Sequence, residues 1–147
     1  EGYLSDLVNS QSLAIKQVPS WFMTMIEGES VDLITATTVL NELNTAGVIY
    51  FLEQASRICK QGGYVYLRDS GKCKPGRHNV NYDEVLCSLL GFERVHWLDA
   101  INRVDIFAIP RIYRKVKHCE KDFDSLYDEV LSRFAITAHG GEFAQNL

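Results

Sequence analysis

A cluster of polar side chains directly follows a strand-like apolar segment of this sequence. The segment from 31 to 36 has the composition of a buried strand, and Thr37, Thr38, Asn41 and Glu42 come after it. In open α/β sheets, ligands bind beyond the carboxyl ends of the strands. A positioned carboxylate can act as a general base there, so the cluster predicts a site for a polar ligand. The alternative is that Thr38 and Asn41 only hydrogen-bond to the backbone of a strand-to-helix turn.

A second group of polar residues follows the next strand-like segment, which runs from 63 to 70. This segment ends in Arg68, Asp69 and Ser70, and the loop behind it contains Arg77 and His78. A neutral imidazole accepts a proton near pH 7, which makes His78 a candidate base beside Asp69. The alternatives are a solvated loop histidine and an ordinary ion pair between Arg68 and Asp69.

Alternating strand and helix patterns would position these two clusters. Apolar spacing predicts strands and helices in the order β, α, β, α, β, α over residues 13–18, 20–26, 31–38, 45–60, 63–70 and 81–90. Met25 would lie on the apolar face of the first helix, Gly62 and Gly63 would end the second, and Asn81, with Glu84 three residues on, would cap the third. This alternation is typical of a parallel sheet with helices on both faces, in which 31–36, with Leu33 and Ile34, would be a covered central strand. Two further strands, 92–98 and 103–110, are too close together for a crossover helix and should pair antiparallel. A last helix is expected from 121 to 134, without an assigned partner.

Composition restricts the class of protein. The 147 residues, 46% hydrophobic and 23% charged, predict a single globular domain from 1 to 147. The net charge of −4 argues against phosphate-driven nucleic-acid binding. Because no segment has the pattern of a membrane span or a secretory signal, we expect a cytoplasmic protein with no membrane partner and with reduced cysteines. The histidines lack metal-ligand spacing, so no metal is expected. The chain also opens on what reads as the middle of a helix, which is typical of a fragment.

The ordered set of segments resembles a known family. The stretches VDLITATTVLNEL, ICKQGGYVYLRDS, LLGFERVHWL and RVDIFAIPR are similar to the second half of class I S-adenosylmethionine-dependent methyltransferases, closest to the sugar O-methyltransferases. The resemblance covers residues 13–110 and leaves 111–147 as a C-terminal helical extension. It implies an α/β, Rossmann-like methyltransferase sheet, mostly parallel with a terminal antiparallel strand pair, whose N-terminal strands are missing here.

The resemblance also implies a cofactor, a substrate class and roles for residues. S-adenosyl-L-methionine would be the cofactor, and a small-molecule acceptor, possibly a sugar, would be methylated on a hydroxyl. Methyl transfer needs an acceptor held in line and a base for its proton. Glu42 is the first candidate base, with His78 and Asp69 as the others. The cofactor would be lined by Gln17, Val18, Thr35, Ala36 and Thr37, and the acceptor by Asn41, Arg68, Ser70 and Arg77.

One part of the family pattern is absent from the sequence. The Gly-rich GxGxG loop, whose glycines let the backbone approach the cofactor closely, does not occur in these 147 residues. The chain therefore carries half of a cofactor site. The alternative function is a non-catalytic methyltransferase-like scaffold with the helix from 119 to 134 as its docking element. The sequence assigns neither the acceptor nor an oligomeric state.

Overall fold

A four-stranded mixed sheet organises the molecule. The computed structural model describes residues 20–69, 80–95, 109–119 and 121–138. Its strands are β1 (Val31–Thr37), β2 (Cys59–Asp69), β3 (Phe92–Arg94) and β4 (Ile109–Lys115), and its long helices are α1 (Thr45–Ile58) and α2 (Phe123–Ala138). Short helical turns add Ser20–Met25 and Leu40–Glu42 as 3₁₀ helices and Glu84–Leu89 as a π-helical segment. The predicted α/β class is confirmed.

The strand order is β1-β2-β4-β3, so the last strand lies between the second and the third. The β1 and β2 strands pair parallel, whereas β4 pairs antiparallel with both β2 and β3. The antiparallel pairing of the last two strands is therefore confirmed. The last strand was expected at 103–110. Ile109 and Pro110 do belong to β4, but the strand continues to Lys115, so its predicted end at Pro110 was wrong. Most of 103–110 lies outside the described residues. The strand also runs past the boundary expected at residue 110.

The junction between α1 and β2 has no loop. The helix ends at Ile58, with Cys59 as its C-cap, and β2 begins at that same residue. The register with β1 shifts between Val31 and Leu33, and in this irregular stretch Gly62 has a φ of 82°. A Cβ on Gly63 would lie 2.9 Å from a backbone oxygen, so the chain approaches itself too closely there for a larger residue. The glycine pair thus shapes the start of β2, although the sequence predicted it as the helix terminator.

The helices of the described part pack on one face of the sheet. Ile34 and Ala36 of β1 and Val65 and Leu67 of β2 share this core with α1 and the π-helical segment. On the opposite face of β1, Leu33 is 57% exposed. The prediction of a central strand covered on both faces was therefore wrong for Leu33, since β1 is an edge strand of the described sheet. The strand expected at 13–18 lies outside the described residues.

Local contacts explain where the helices begin and what they cover. The Asn44 side chain accepts a hydrogen bond of 2.8 Å from the amide of Gly47 and so caps α1. Helix α2 packs against α1 and buries Leu126 and Val130. This contact supplies the partner that the sequence could not assign, and it occupies much of the apolar face that a docking helix would need. No helix among the described residues is long and apolar enough to span a bilayer.

The segment after residue 19 is shorter than predicted. It forms a 3₁₀ helix with Phe22 fully buried, but Met25, expected on the same inward face, is exposed. Arg57 holds the segment against α1, because its guanidinium donates to the carbonyl oxygens of Met23 and Ile26 at 2.6 and 2.8 Å. Farther along, the predicted cap at Asn81 is confirmed, since its side chain accepts from the amides of Asp83 and Glu84.

Candidate functional site

The carboxyl ends of β1 and β2 are joined by a short hydrogen bond. The amide of Thr38 donates to the carbonyl oxygen of Arg68 over 2.7 Å, one residue beyond the last register pair of Thr37 and Arg68. Thr38 has a φ of 56°, a left-handed conformation that is rare and costly for a β-branched residue. Its hydroxyl donates to the Thr37 carbonyl oxygen at 2.8 Å. The chain therefore makes a strained turn where the predicted ligand site begins.

The residues behind this turn separate into interior and exposed positions. The 3₁₀ helix Leu40–Glu42 buries Leu40 completely and leaves Asn41 only 8% exposed, whereas Glu42 is exposed. Glu42 therefore lies where a ligand from solvent can reach it. Asn41, expected to face the acceptor, offers little surface in this structure, and its burial favours the alternative of a role within the turn.

The residues expected to line the cofactor do not share one surface. Successive side chains of a strand point to opposite faces. Ala36 accordingly lies in the core beneath α1, while Thr35 and Thr37 are exposed on the other face. Arg68, the register partner of Thr37, is half-buried. The structure thus brings Thr37, Thr38 and Arg68 together. It separates Ala36 from them, because neighbouring side chains of a strand point to opposite faces of the sheet.

Several predicted site residues lie outside the described part of the chain. Asp69 is described only through its backbone, which ends β2 opposite Ile109. The others are Gln17, Val18, Ser70, Arg77 and His78. Of the three candidate bases, Glu42 is the one whose side chain the structure describes. Among the described residues, no three His, Cys, Asp or Glu side chains are grouped as a metal ion would require.

A second polar cluster, missed by the sequence analysis, lies at the opposite end of the sheet, before β1. Lys115 is 1% exposed, and its Nζ donates to the carbonyl oxygens of Ser56 and Cys59 and to Glu29 Oε1 at 2.8, 2.9 and 3.2 Å. Glu29 Oε1 also lies 2.9 Å from Nδ1 of His118. These contacts satisfy the buried ammonium group, so Lys115 ties β4 to the end of α1.

Two glutamates near this cluster have pKa values shifted in opposite directions. Hydrogen bonds from His118 and then from Lys115 lower the pKa of Glu29. Burial raises the pKa of Glu53 on α1, although Gln54 donates to its carboxylate at 2.6 Å. Both side chains line a pocket together with Lys115 and His118. Their opposite shifts affect how stability depends on pH.

Comparison with known proteins gives a weak structural likeness. No family model matches the sequence, and no curated protein sequence matches it. A T. thermophilus 16S rRNA N2 G1207 methyltransferase, RsmC, solved with AdoMet and guanosine, is 20% identical with a TM-score of 0.46, over 67% of this chain and 24% of that one. Haemonchus contortus phosphoethanolamine N-methyltransferase 1, solved with phosphoethanolamine and S-adenosylhomocysteine, is 19% identical with a TM-score of 0.49, over 78% and 32% respectively. The chain thus spans about a quarter to a third of the length of these two proteins.

Proposed function

We propose that the protein is an S-adenosylmethionine-dependent methyltransferase that acts on a hydroxyl group of a sugar or a similar polar small molecule in the cytoplasm. The observation that carries this proposal is the strand order. A parallel pair, β1 and β2, is followed by an antiparallel pair in which β4 lies beside β2. This is the reversed terminal hairpin that the sequence resemblance to class I methyltransferases implies.

The described residues can supply part of the chemistry. S-adenosylmethionine would contribute the electrophilic methyl group when bound. The exposed Glu42, just past the end of β1, would accept the proton of the acceptor hydroxyl. The hydroxyl oxygen would bond to the methyl carbon as the bond from that carbon to the sulfonium sulfur breaks. Thr37 and Thr38 have hydroxyl groups, and Arg68 has a guanidinium, at the same edge of the sheet for orienting ligands. The Gly-rich loop that would complete the cofactor site is not in this sequence.

A transfer assay on the full-length protein tests the proposal. We expect label from methyl-labelled S-adenosylmethionine to appear in at least one compound of a panel of sugars and polyols. By calorimetry, the 147-residue chain alone should bind S-adenosylmethionine weakly or not at all, because it lacks the Gly-rich loop. A full-length protein that neither binds the cofactor nor transfers label to any acceptor would contradict the proposal and favour the scaffold alternative.

A further inference from the structure

The guanidinium of Arg111 lies over an aromatic ring at the edge of the core. Its central carbon is 5.8 Å from the centroid of the Tyr82 ring, and Tyr82 is 7% exposed. A guanidinium in such a cation–π contact can still use N–H donors for another group. Arg111 is half-buried and makes no hydrogen bond or ion pair with any residue that the structure describes. Its donors are therefore held in place without a described acceptor.

A described carboxylate beside this contact, that of Asp83, already accepts hydrogen bonds from other residues. Asp83 Oδ2 accepts from Arg94 Nη1 at 3.0 Å, and Asp83 Oδ1 accepts from the Tyr113 hydroxyl at 2.7 Å. Burial and the Asp83 carboxylate raise the pKa of Tyr113, so the phenol stays a neutral donor. Among the side chains that the structure describes, the Asp83 carboxylate is thus bonded to Arg94 and Tyr113, and none of the described carboxylates is hydrogen-bonded to Arg111.

The fold places the charge of Arg111 at the end of the sheet that carries Thr38 and Glu42. Ala36 pairs with Leu67, and Leu67 pairs with Arg111, so the three residues form a row across β1, β2 and β4. Two strand spacings put the Arg111 Cα about 10 Å from the Ala36 Cα. Leu67 is two residues before the end of β2, and Tyr82 precedes the π-helical segment. Arg111 is thus within the length of a small molecule from the strand ends.

We propose that Arg111 binds an oxyanion, a carboxylate or phosphate group, carried by the methyl acceptor. That the anion belongs to a methyl acceptor rests on the proposed function. The anion subsite itself rests on the contacts of Arg111 described above. A guanidinium recognises either oxyanion with charge-assisted, often bidentate hydrogen bonds. The acceptor would then have two recognised parts, a hydroxyl near Glu42 and an anionic group at Arg111.

Anion binding by the full-length protein tests this proposal without cofactor or turnover. Inorganic phosphate and acetate are titrated separately by calorimetry, and the one that binds more tightly identifies the oxyanion. Arg111→Gln should weaken its binding by about tenfold or more, the scale of one lost charge-assisted hydrogen bond. Arg114→Gln is the matched control. Arg114 lies on the same strand but on the opposite face, and its ion pair with Glu93 is long, at 3.8 Å. This control should bind as the parent does.

Two outcomes would overturn the anion subsite. One is that the parent protein binds neither anion, and the other is that the Arg111 and Arg114 variants weaken binding equally, as a diffuse surface charge would. Thermal melts check that each variant folds. Tyr82→Leu, which removes the ring beneath the guanidinium, should also weaken binding and serves as the second variant if Arg111→Gln unfolds. Anion binding that depends on Arg111 in a protein without methyl transfer would sustain the subsite while contradicting the proposed function.

Discussion

The backbone amide of Thr38 donates to the carbonyl oxygen of Arg68 over 2.7 Å, and this bond joins the ends of the two parallel strands. Thr38 makes it from a left-handed conformation with a φ of 56°. A strained residue persists only where its surroundings determine it, and strain of this kind costs about 1 to 3 kcal/mol. The hydrogen bond is therefore a specific reason for the conformation of this turn.

Two replacements of Thr38 distinguish the effect of its backbone strain on stability from the effect of its hydrogen bond. Thr38→Gly keeps the amide donor and relieves the strain, so stability should stay level or rise by up to about 1 kcal/mol despite the extra chain entropy. Thr38→Pro removes the donor and fixes φ near −65°, so it should destabilise by more than about 1 kcal/mol. Urea unfolding of the three proteins measures this. Equal losses for the glycine and proline variants would mean that the hydroxyl, not the backbone, holds the turn.

A charge introduced at either of two adjacent residues of β1 should change the stability by very different amounts. Ile34 is 8% exposed in the core, so Ile34→Asp should cost several kcal/mol against a total stability of about 5 to 15, enough to unfold the domain. Leu33→Asp is the matched control, and it should change stability by less than about 1 kcal/mol because Leu33 is exposed. Thermal melts of both variants decide. A cooperative, parent-like melt for Ile34→Asp would contradict the assignment of the core face.

Variants at Glu42 and Asp32 of the full-length protein distinguish a catalytic role from a structural one. If Glu42 deprotonates or orients the acceptor, Glu42→Gln should lower the methyl-transfer rate by about 10²-fold, with cofactor affinity nearly unchanged. Asp32 lies at the other end of β1, where an exposed ion pair with Lys60 at 2.9 Å is worth about 1 kcal/mol or less, so Asp32→Asn should leave turnover alone. Turnover and cofactor binding are measured for both. Equal activity losses that follow the loss of folded protein would assign Glu42 a structural role and leave His78 or Asp69 as the base.

The two glutamates of opposite pKa shift should give opposite pH dependences. The pKa of Glu29 is below its ordinary value of 4.5, so its stabilising contribution is complete above that pH and is lost as pH falls through the lowered pKa. Glu29→Gln should therefore destabilise more at pH 6 than at pH 3. The pKa of Glu53 is raised by burial, so the parent loses stability as pH rises through that pKa, and Glu53→Gln should gain relative to the parent over that rise.

Melts at a series of pH values measure both slopes, and each variant is the control for the other. Parallel pH dependences in the two variants would show that the general charge of the protein, and not the local contacts of Glu29 and Glu53, governs its acid stability.

The sequence predicted the elements whose signals are local. The spacing of apolar residues located α1 to within two residues at its end, and the Asn81 cap was correct, because periodicity and capping act over one or two turns. The resemblance implied a terminal antiparallel pair, but apolar spacing did not place β4 between β2 and β3, since pairing between distant segments leaves no short-range pattern.

The candidate site was predicted only in part, for the same physical reason. The pattern identified the polar strand end with Thr37 and Glu42, which the structure places at one edge of the sheet. It gave no sign that Thr38 would be left-handed, because that conformation usually belongs to glycine, asparagine or aspartate. It also missed the contact of Arg111 with Tyr82, which depends on the position of β4.

The placement of β4 also sets the order in which this part of the molecule can fold. Its contacts with β2 join Asp69 to Ile109 and Tyr64 to Arg114, pairs far apart in the chain, and such non-local pairing slows folding. During synthesis, β2 and β3 leave the ribosome before their shared neighbour exists. Both present unpaired backbone edges to other chains until Lys115 has been added. A truncation that removes β4 would therefore leave two open edges, even though every residue before Ile109 is retained.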